Sequence, residues 1–252
     1  MSIKKLLLGA LILTLLTVGW LLRPWNDKPA LPTSKQSIRQ SQPNNTVQFN
    51  KKLLSISDPS SFWVIVNKQH PLVPVSYRPR DLVVPAVPLR VPGNESMQIR
   101  KATAEALQTM FAAAHNDGVN LMLSSGYRSY DYQMALYNGY VKSQGQVAAD
   151  TQSARPGYSE HQTGLALDVE PTSRQCEVEQ CFVNIAEGKW VAANGYKFGF
   201  IVRYAADKVA ISGYEYEPWH IRYIGIPLAT EMHNRHIETL EEFFNVSGGV
   251  NY

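Results

Sequence analysis

Apolar and polar positions divide the chain into three regimes. Leu6 to Leu22 is an almost unbroken apolar run of 17 residues, behind Lys4 and Lys5 and ahead of Arg23-Pro24-Trp25. As a helix rising about 1.5 Å per residue, it would just cross a hydrocarbon core roughly 30 Å thick, with some thinning or snorkelling. The lysines predict that the N-terminal end stays in the cytoplasm and the remainder is exported. The small-residue candidate Thr17-Val18-Gly19 lies inside the run, and Ala30 lacks a small residue two positions earlier, so an uncleaved signal anchor is favoured over a cleaved signal peptide. From Asn26 to about Asn50 the chain is Pro, Ser, Gln, Asn and Lys without apolar periodicity, which predicts a flexible tether. The expected organisation is an anchor over 1–25, a linker over 26–50 and one folded domain over 51–246.

Within the folded domain the periods switch between those of strands and helices. Phe62-Trp63-Val64-Ile65-Val66 reads as a strand and 67–71 as a turn, after which six prolines between Pro71 and Pro92 exclude helix and predict an extended wrap. Ser96 to His115 has helical spacing, with Met97, Leu107, Met110 and Phe111 as its apolar positions, Asn94 or Ser96 as cap and Asn116-Asp117-Gly118 as stop. Strands are predicted over 119–123, 165–169, 199–204 and 219–224. Helices are predicted over 130–142, over 188–194 with Trp190 inward, and over 227–244. Without a regular βαβ alternation, the class is α+β, a small, mostly antiparallel sheet flanked by helices.

Composition adds two constraints. A chain of 252 residues with 44% hydrophobic content suffices for one good-sized domain with appendages, and a net charge of +3 without a basic run argues against nucleic acid. Cys176 and Cys181 are the only two cysteines. In an exported domain an isolated local pair reads as a disulfide rather than as metal ligands, which usually come in C-x₂-C spacing with further partners.

The candidate chemistry lies in two stretches, Ser159-Glu160-His161-Gln162-Thr163-Gly164-Leu165-Ala166-Leu167-Asp168 and Glu217-Pro218-Trp219-His220. Together they offer two imidazoles, one carboxylate on a strand and one spare carboxylate. That is the inventory of a catalytic zinc site with an open position, at which a nearby Glu can act as general base towards water. Taken alone, His161 and Asp168 fit a structural pair; the second stretch shifts the balance. A regular strand would point Glu217 and His220 to opposite faces, but Pro218 forbids a normal ladder there and allows both to turn towards one metal. Arg128 follows a strand end, where it can pair a carboxylate on the surface or serve a cleft. Trp190, Tyr216 and Trp219 read as core aromatics. His233 and His236 sit among Glu231, Asn234, Arg235 and Glu238 on a solvated helix face and are not read as ligands; His70 and His115 have no partner motif.

The pattern Ser-x-His-x-x-Gly-x-Ala-x-Asp at 159–168, with Glu-Pro-Trp-His at 217–220, resembles the VanY-type D-alanyl-D-alanine carboxypeptidase family. The likeness extends through 125–129, 157–164, the Cys176/Cys181 loop, 199–204 and 213–220, and spans roughly Trp63 to Gly225. It implies one zinc held by His161, Asp168 and His220, and Glu217 as general base. It also implies Arg128 at the developing oxyanion or on the substrate, with Gln133 and Ser159 near the carboxylate of a terminal D-Ala. The implied substrate is a peptidoglycan stem peptide or precursor ending in D-Ala, met by a domain tethered through the N-terminal helix on the outer side of a bacterial cell membrane. An L,D-carboxypeptidase, a D,D-dipeptidase and a non-catalytic wall-binding domain are the alternatives. A pure binder has no need for a base such as Glu217.

Overall fold

A computed structural model describes residues 48–252. The predicted anchor and nearly all of the predicted linker lie outside the described residues; among those described, no helix is long and apolar enough to cross a membrane. Strands β1 (Leu82–Val83) and β2 (Ile99–Arg100) pair antiparallel ahead of helix α1 (Lys101–Asn116). Then follow β3 (Leu121–Ser125), α2 (Tyr130–Gln144), α3 (Gln146–Gln152), β4 (Ala166–Pro171), α4 (Ala186–Asn194), β5 (Phe200–Tyr204), α5 (Val209–Ser212), β6 (Glu217–Tyr223), α6 (Ile226–Asn234) and α7 (Leu240–Phe244). The four longer strands form one antiparallel sheet in the order β3-β4-β6-β5. This is the α+β arrangement expected from the pattern.

One face of the sheet closes on α1 and α4, where Leu107, Met110, Leu123, Leu167, Val169, Phe182 and Ile221 share a core. A second core gathers Trp63, Ile65, Leu228, Met232, Leu240 and Phe243 from segments distant in sequence. The helix stripe of α1 and the apolar positions of β4 thus meet because each leaves one side that water would otherwise cover.

Three elements depart from expectation. Phe62 to Val66 is not a strand: Trp63 to Val66 are buried without forming a ladder, and the carbonyls of Phe62 and Val64 accept from Arg222 NH2 at 3.1 and 2.8 Å instead. The helix predicted from Ser96 starts at Lys101. Met97 and Ile99 are both fully buried at a two-residue spacing, so Ile99–Arg100 folds as a strand against Leu82–Val83, while Asn94 caps only a short 3-10 turn over Glu95–Met97. The last predicted helix is split at His236 (φ 53°), and Thr239 caps its second half by accepting from the Glu242 N–H at 3.1 Å.

Candidate active site

Asp168 on β4 and His220 on β6 are register partners across the sheet, so their side chains leave the same face. His220 Nδ1 lies 3.3 Å from Asp168 Oδ1. His161 comes from a 3-10 turn, Glu160–Thr163, that ends on Gly164 at φ +64°. That left-handed residue turns the chain into β4 and brings His161 Nε2 to 3.5 Å from Asp168 Oδ2. A Cβ on Gly164 would stand 2.9 Å from Leu82 Cδ2.

Glu217 reaches the same point through a bulge. Tyr204 pairs with Glu217 and Val202 with Ile221, so Pro218, Trp219 and His220 lie opposite the single residue Arg203. The alternation is broken where Pro218 was expected to break it, and Glu217 Oε2 sits 3.6 Å from His220 Nδ1.

The ligand atoms of His161, Asp168 and His220 all lie within 4.8 Å of one another, and all three residues are buried. Three observations fit this set to a zinc ion. Bonds of about 2.0–2.1 Å to a tetrahedral ion place ligand atoms roughly 3.3 Å apart, the separation of His220 Nδ1 from Asp168 Oδ1. Asp168 Oδ1 is buried without a hydrogen-bond partner. His161 Nδ1 is 2.7 Å from the Gly126 carbonyl, to which it donates, leaving the Nε2 lone pair facing the cluster.

The charges agree. Burial and the neighbouring Arg128 lower His161 to about 4, keeping it a neutral donor. Burial alone would also lower His220, but the carboxylates of Asp168, Glu160 and Glu217 around it hold it up at about 9. Burial would raise Asp168, yet the histidines and Arg128 keep it well below the usual carboxylate range. For Glu217 burial wins, and the carboxyl is pushed up to about 7.

A cleft of about 350 Å³ opens onto these four residues, and Arg128, Gln133, Ser159, Tyr216 and Trp219 also line it. Tyr216 and Trp219, read from sequence as core, therefore face the cleft, although Trp219 also packs against the main core. Arg128 NH2 donates to Asp168 Oδ2 and to Ser125 Oγ, both at 2.9 Å, so its guanidinium touches the cluster itself. Gln133 Nε2 donates to Ser153 Oγ at 3.1 Å and to the Ala154 carbonyl at 2.8 Å, which leaves its buried Oε1 without a partner. Cys176 and Cys181 form the expected disulfide, and Val178 and Gln180 of that loop reach the cleft wall. His233 stacks on Tyr196 with ring centroids 3.6 Å apart, away from the cluster.

Sequence reasoning missed Ser125, whose Oγ donates to Asp168 Oδ2 at 2.6 Å, and the buried ions Glu160, Arg203 and Arg222 behind the cluster. For the two arginines the available signal was a charge in Phe-Ile-Val-Arg-Tyr and in Trp-His-Ile-Arg-Tyr, each between apolar strand residues.

The sequence model of the VanY family, described as D-alanyl-D-alanine carboxypeptidase, matches residues 96–226. The chain belongs to the VanY family. The matched span runs from the turn before β2 to the start of α6 and encloses His161, Asp168, His220, Glu217 and Arg128. Among relatives, the chain is 44% identical to the YodJ protein of Bacillus subtilis (strain 168) over 208 residues, which is 81% of this chain and 75% of YodJ. It resembles the solved LdcB LD-carboxypeptidase at 44% identity and a TM-score of 0.71, covering 75% of this chain and 89% of that one. A vancomycin-resistance VanY D,D-pentapeptidase variant solved with Zn(II) matches at 34% identity and a TM-score of 0.58, covering 72% of this chain and 98% of that one. The VanY family thus includes a zinc-bound structure, and the donor set of this chain suits that metal.

Proposed function

We propose that this chain is a zinc-dependent carboxypeptidase that removes the terminal D-alanine from peptidoglycan stem peptides or their precursors. The observation that carries the reading is the buried His161-Asp168-His220 cluster, with the Glu217 carboxylate 3.6 Å from one of its ligand atoms, on the wall of an open cleft. A zinc ion held by His161, Asp168 and His220 would supply a Lewis acid for the scissile carbonyl and bring water from a pKa of about 15.7 to about 7.

The side chains supply the rest. Glu217, near neutral pKa through burial, is suited both to take a proton from the attacking water and to return it to the departing amine. Arg128 is tied through NH2, and among the described residues no hydrogen bond occupies its other N–H groups, which can meet the oxyanion or the substrate carboxylate. Ser159 adds a hydroxyl on the same wall, and Gln133 fixes Ser153 and Ala154 beside it. The apolar run at 6–22 supports an anchor that holds this domain on the outer face of the cell membrane, next to the wall.

A second reading, an L,D-carboxypeptidase acting on tetrapeptide stems, is favoured by the 44% identity to LdcB. Both are decided by incubating the chain with a stem pentapeptide ending in D-Ala-D-Ala and with a tetrapeptide ending in one D-Ala, with zinc and with chelator. Release of D-Ala from the pentapeptide, abolished by chelation, is the expected result. Release from the tetrapeptide alone selects the second reading, and binding without release from either overturns both.

A further inference from the structure

Behind the cleft lies a group of four charged side chains, Glu160, Arg203, Arg222 and Glu241, none more than 1% exposed. Glu160 Oε1 accepts from Arg203 Nε at 2.8 Å and from Arg222 NH1 at 2.7 Å. Arg203 turns its NH1 and NH2 to Glu241, at 3.0 and 2.7 Å. Arg222 spends its other donors on the carbonyls of Phe62, Val64 and Tyr223. Two carboxylates face two guanidiniums, so the group is neutral and its donors are nearly all used. One atom is left over. Glu160 Oε2 makes no hydrogen bond and stands 3.7 Å from His220 Nε2, which is also buried and without a partner.

The two histidines present opposite nitrogens to the cluster. His161 keeps its proton on Nδ1, against the Gly126 carbonyl, and offers Nε2. His220 offers Nδ1 to the side where Asp168 and Glu217 stand, so its proton belongs on Nε2, and the acceptor facing that atom is Glu160. We propose that Glu160 is the positioning residue of the metal site: the negative charge of its Oε2, 3.7 Å from His220 Nε2, holds the His220 proton on that nitrogen and fixes the tautomer that leaves Nδ1 free to ligate. Arg203 and Arg222 hold Glu160 by its other oxygen.

The proposal rests on the zinc reading of the cluster. Outer partners of this kind typically change metal affinity by about 10–100-fold when removed. The full chain is therefore titrated with zinc against a chromophoric chelator, as wild type, Glu160→Gln and Glu241→Gln. Glu160→Gln keeps the shape and loses the charge at His220; Glu241→Gln loses a charge in the same network at a distance from the cluster. Expected is a loss of zinc affinity of about 10–100-fold for Glu160→Gln and less than about twofold for Glu241→Gln. The visible spectrum of the cobalt-loaded protein should change only in the former. Wild-type affinity in Glu160→Gln, or equal losses in both variants, overturns the proposal. Should Glu160→Gln fail to fold, nitrogen-15 spectra of the zinc-loaded wild type decide: a slowly exchanging proton on His220 Nε2 is expected, and one on Nδ1, or one exchanging freely, overturns it. A wild-type chain that binds no zinc overturns the site reading itself and this proposal with it.

Discussion

Where Glu217 points is decided by Pro218. In a regular strand the two carboxylate-to-imidazole positions would face away from each other, and the missing N–H at Pro218 coincides with the bulge that brings them together. Because Glu217 is beside the cluster and is not one of its ligands, Glu217→Gln should keep zinc at stoichiometric content while D-Ala release falls by about 10²–10⁴-fold. Retained turnover in a zinc-replete variant would remove its role as base. Arg128 can be judged in the same assay. One of its nitrogens holds Ser125 and Asp168 while the others remain for the substrate, a division that a lysine, with a single charged point, does not reproduce, so Arg128→Lys should lose about 10²–10³-fold in kcat/KM. A variant within a few-fold of wild type would show that the remaining guanidinium N–H groups are dispensable.

The segment from Gly157 to β4 works as one device, and it was legible in the sequence because its signals are local. A left-handed Gly, a His three positions earlier and an Asp four positions later suffice to set the turn and the strand. Gly164→Ala should cost about 1–3 kcal/mol, read by denaturant unfolding of the metal-free chain, since an L residue at φ +64° is strained and its Cβ approaches Leu82. No loss would mean that the turn relaxes at little cost. The unread elements are those whose pairing is long-range. Ile99–Arg100 became a strand because Leu82–Val83 lies beside it, and Phe62 to Val66 lost its ladder to Arg222, about 160 positions away; neither partner is visible in a local window. The packing of α2 against α3 is likewise fixed by an ion that periodicity does not show. Asp150 accepts from Tyr137 OH at 2.7 Å and from Arg155 Nε and NH2 at 3.0 and 2.8 Å. The hydrogen-bonded Arg155 holds its carboxyl below the ordinary value. An acid with a depressed folded pKa stabilises above its unfolded pKa, near 4, and loses that contribution as pH falls through the folded value. Asp150→Asn should therefore cost about 1–2 kcal/mol at neutral pH, with the difference from wild type shrinking below about pH 4. A difference independent of pH down to 3 would count against the ion pair.

Across the whole folded body, the cluster and the ions behind it tie together pieces that belong to different cores. The turn before β4 supplies His161, β4 supplies Asp168 and β6 supplies His220, while the ions behind them reach Phe62 and Val64 on one side and Glu241 of α7 on the other. Three buried polar groups gathered for an ion are poorly compensated among themselves, so the metal should bind the folded chain and have little affinity for the unfolded one. Zinc at about 100 times its dissociation constant then contributes about 2.7 kcal/mol. At roughly 2–4 °C per kcal/mol for a body of this size, the midpoint of thermal unfolding should rise by about 5–11 °C over the chelator-treated chain. The increment belongs to the cluster, so His161→Ala and His220→Ala should each abolish most of it, whereas Glu217→Gln should preserve it. A rise that survives loss of either histidine would place the stabilising ion elsewhere. No rise in wild type would mean that these side chains, though gathered within a few ångströms, do not hold a metal.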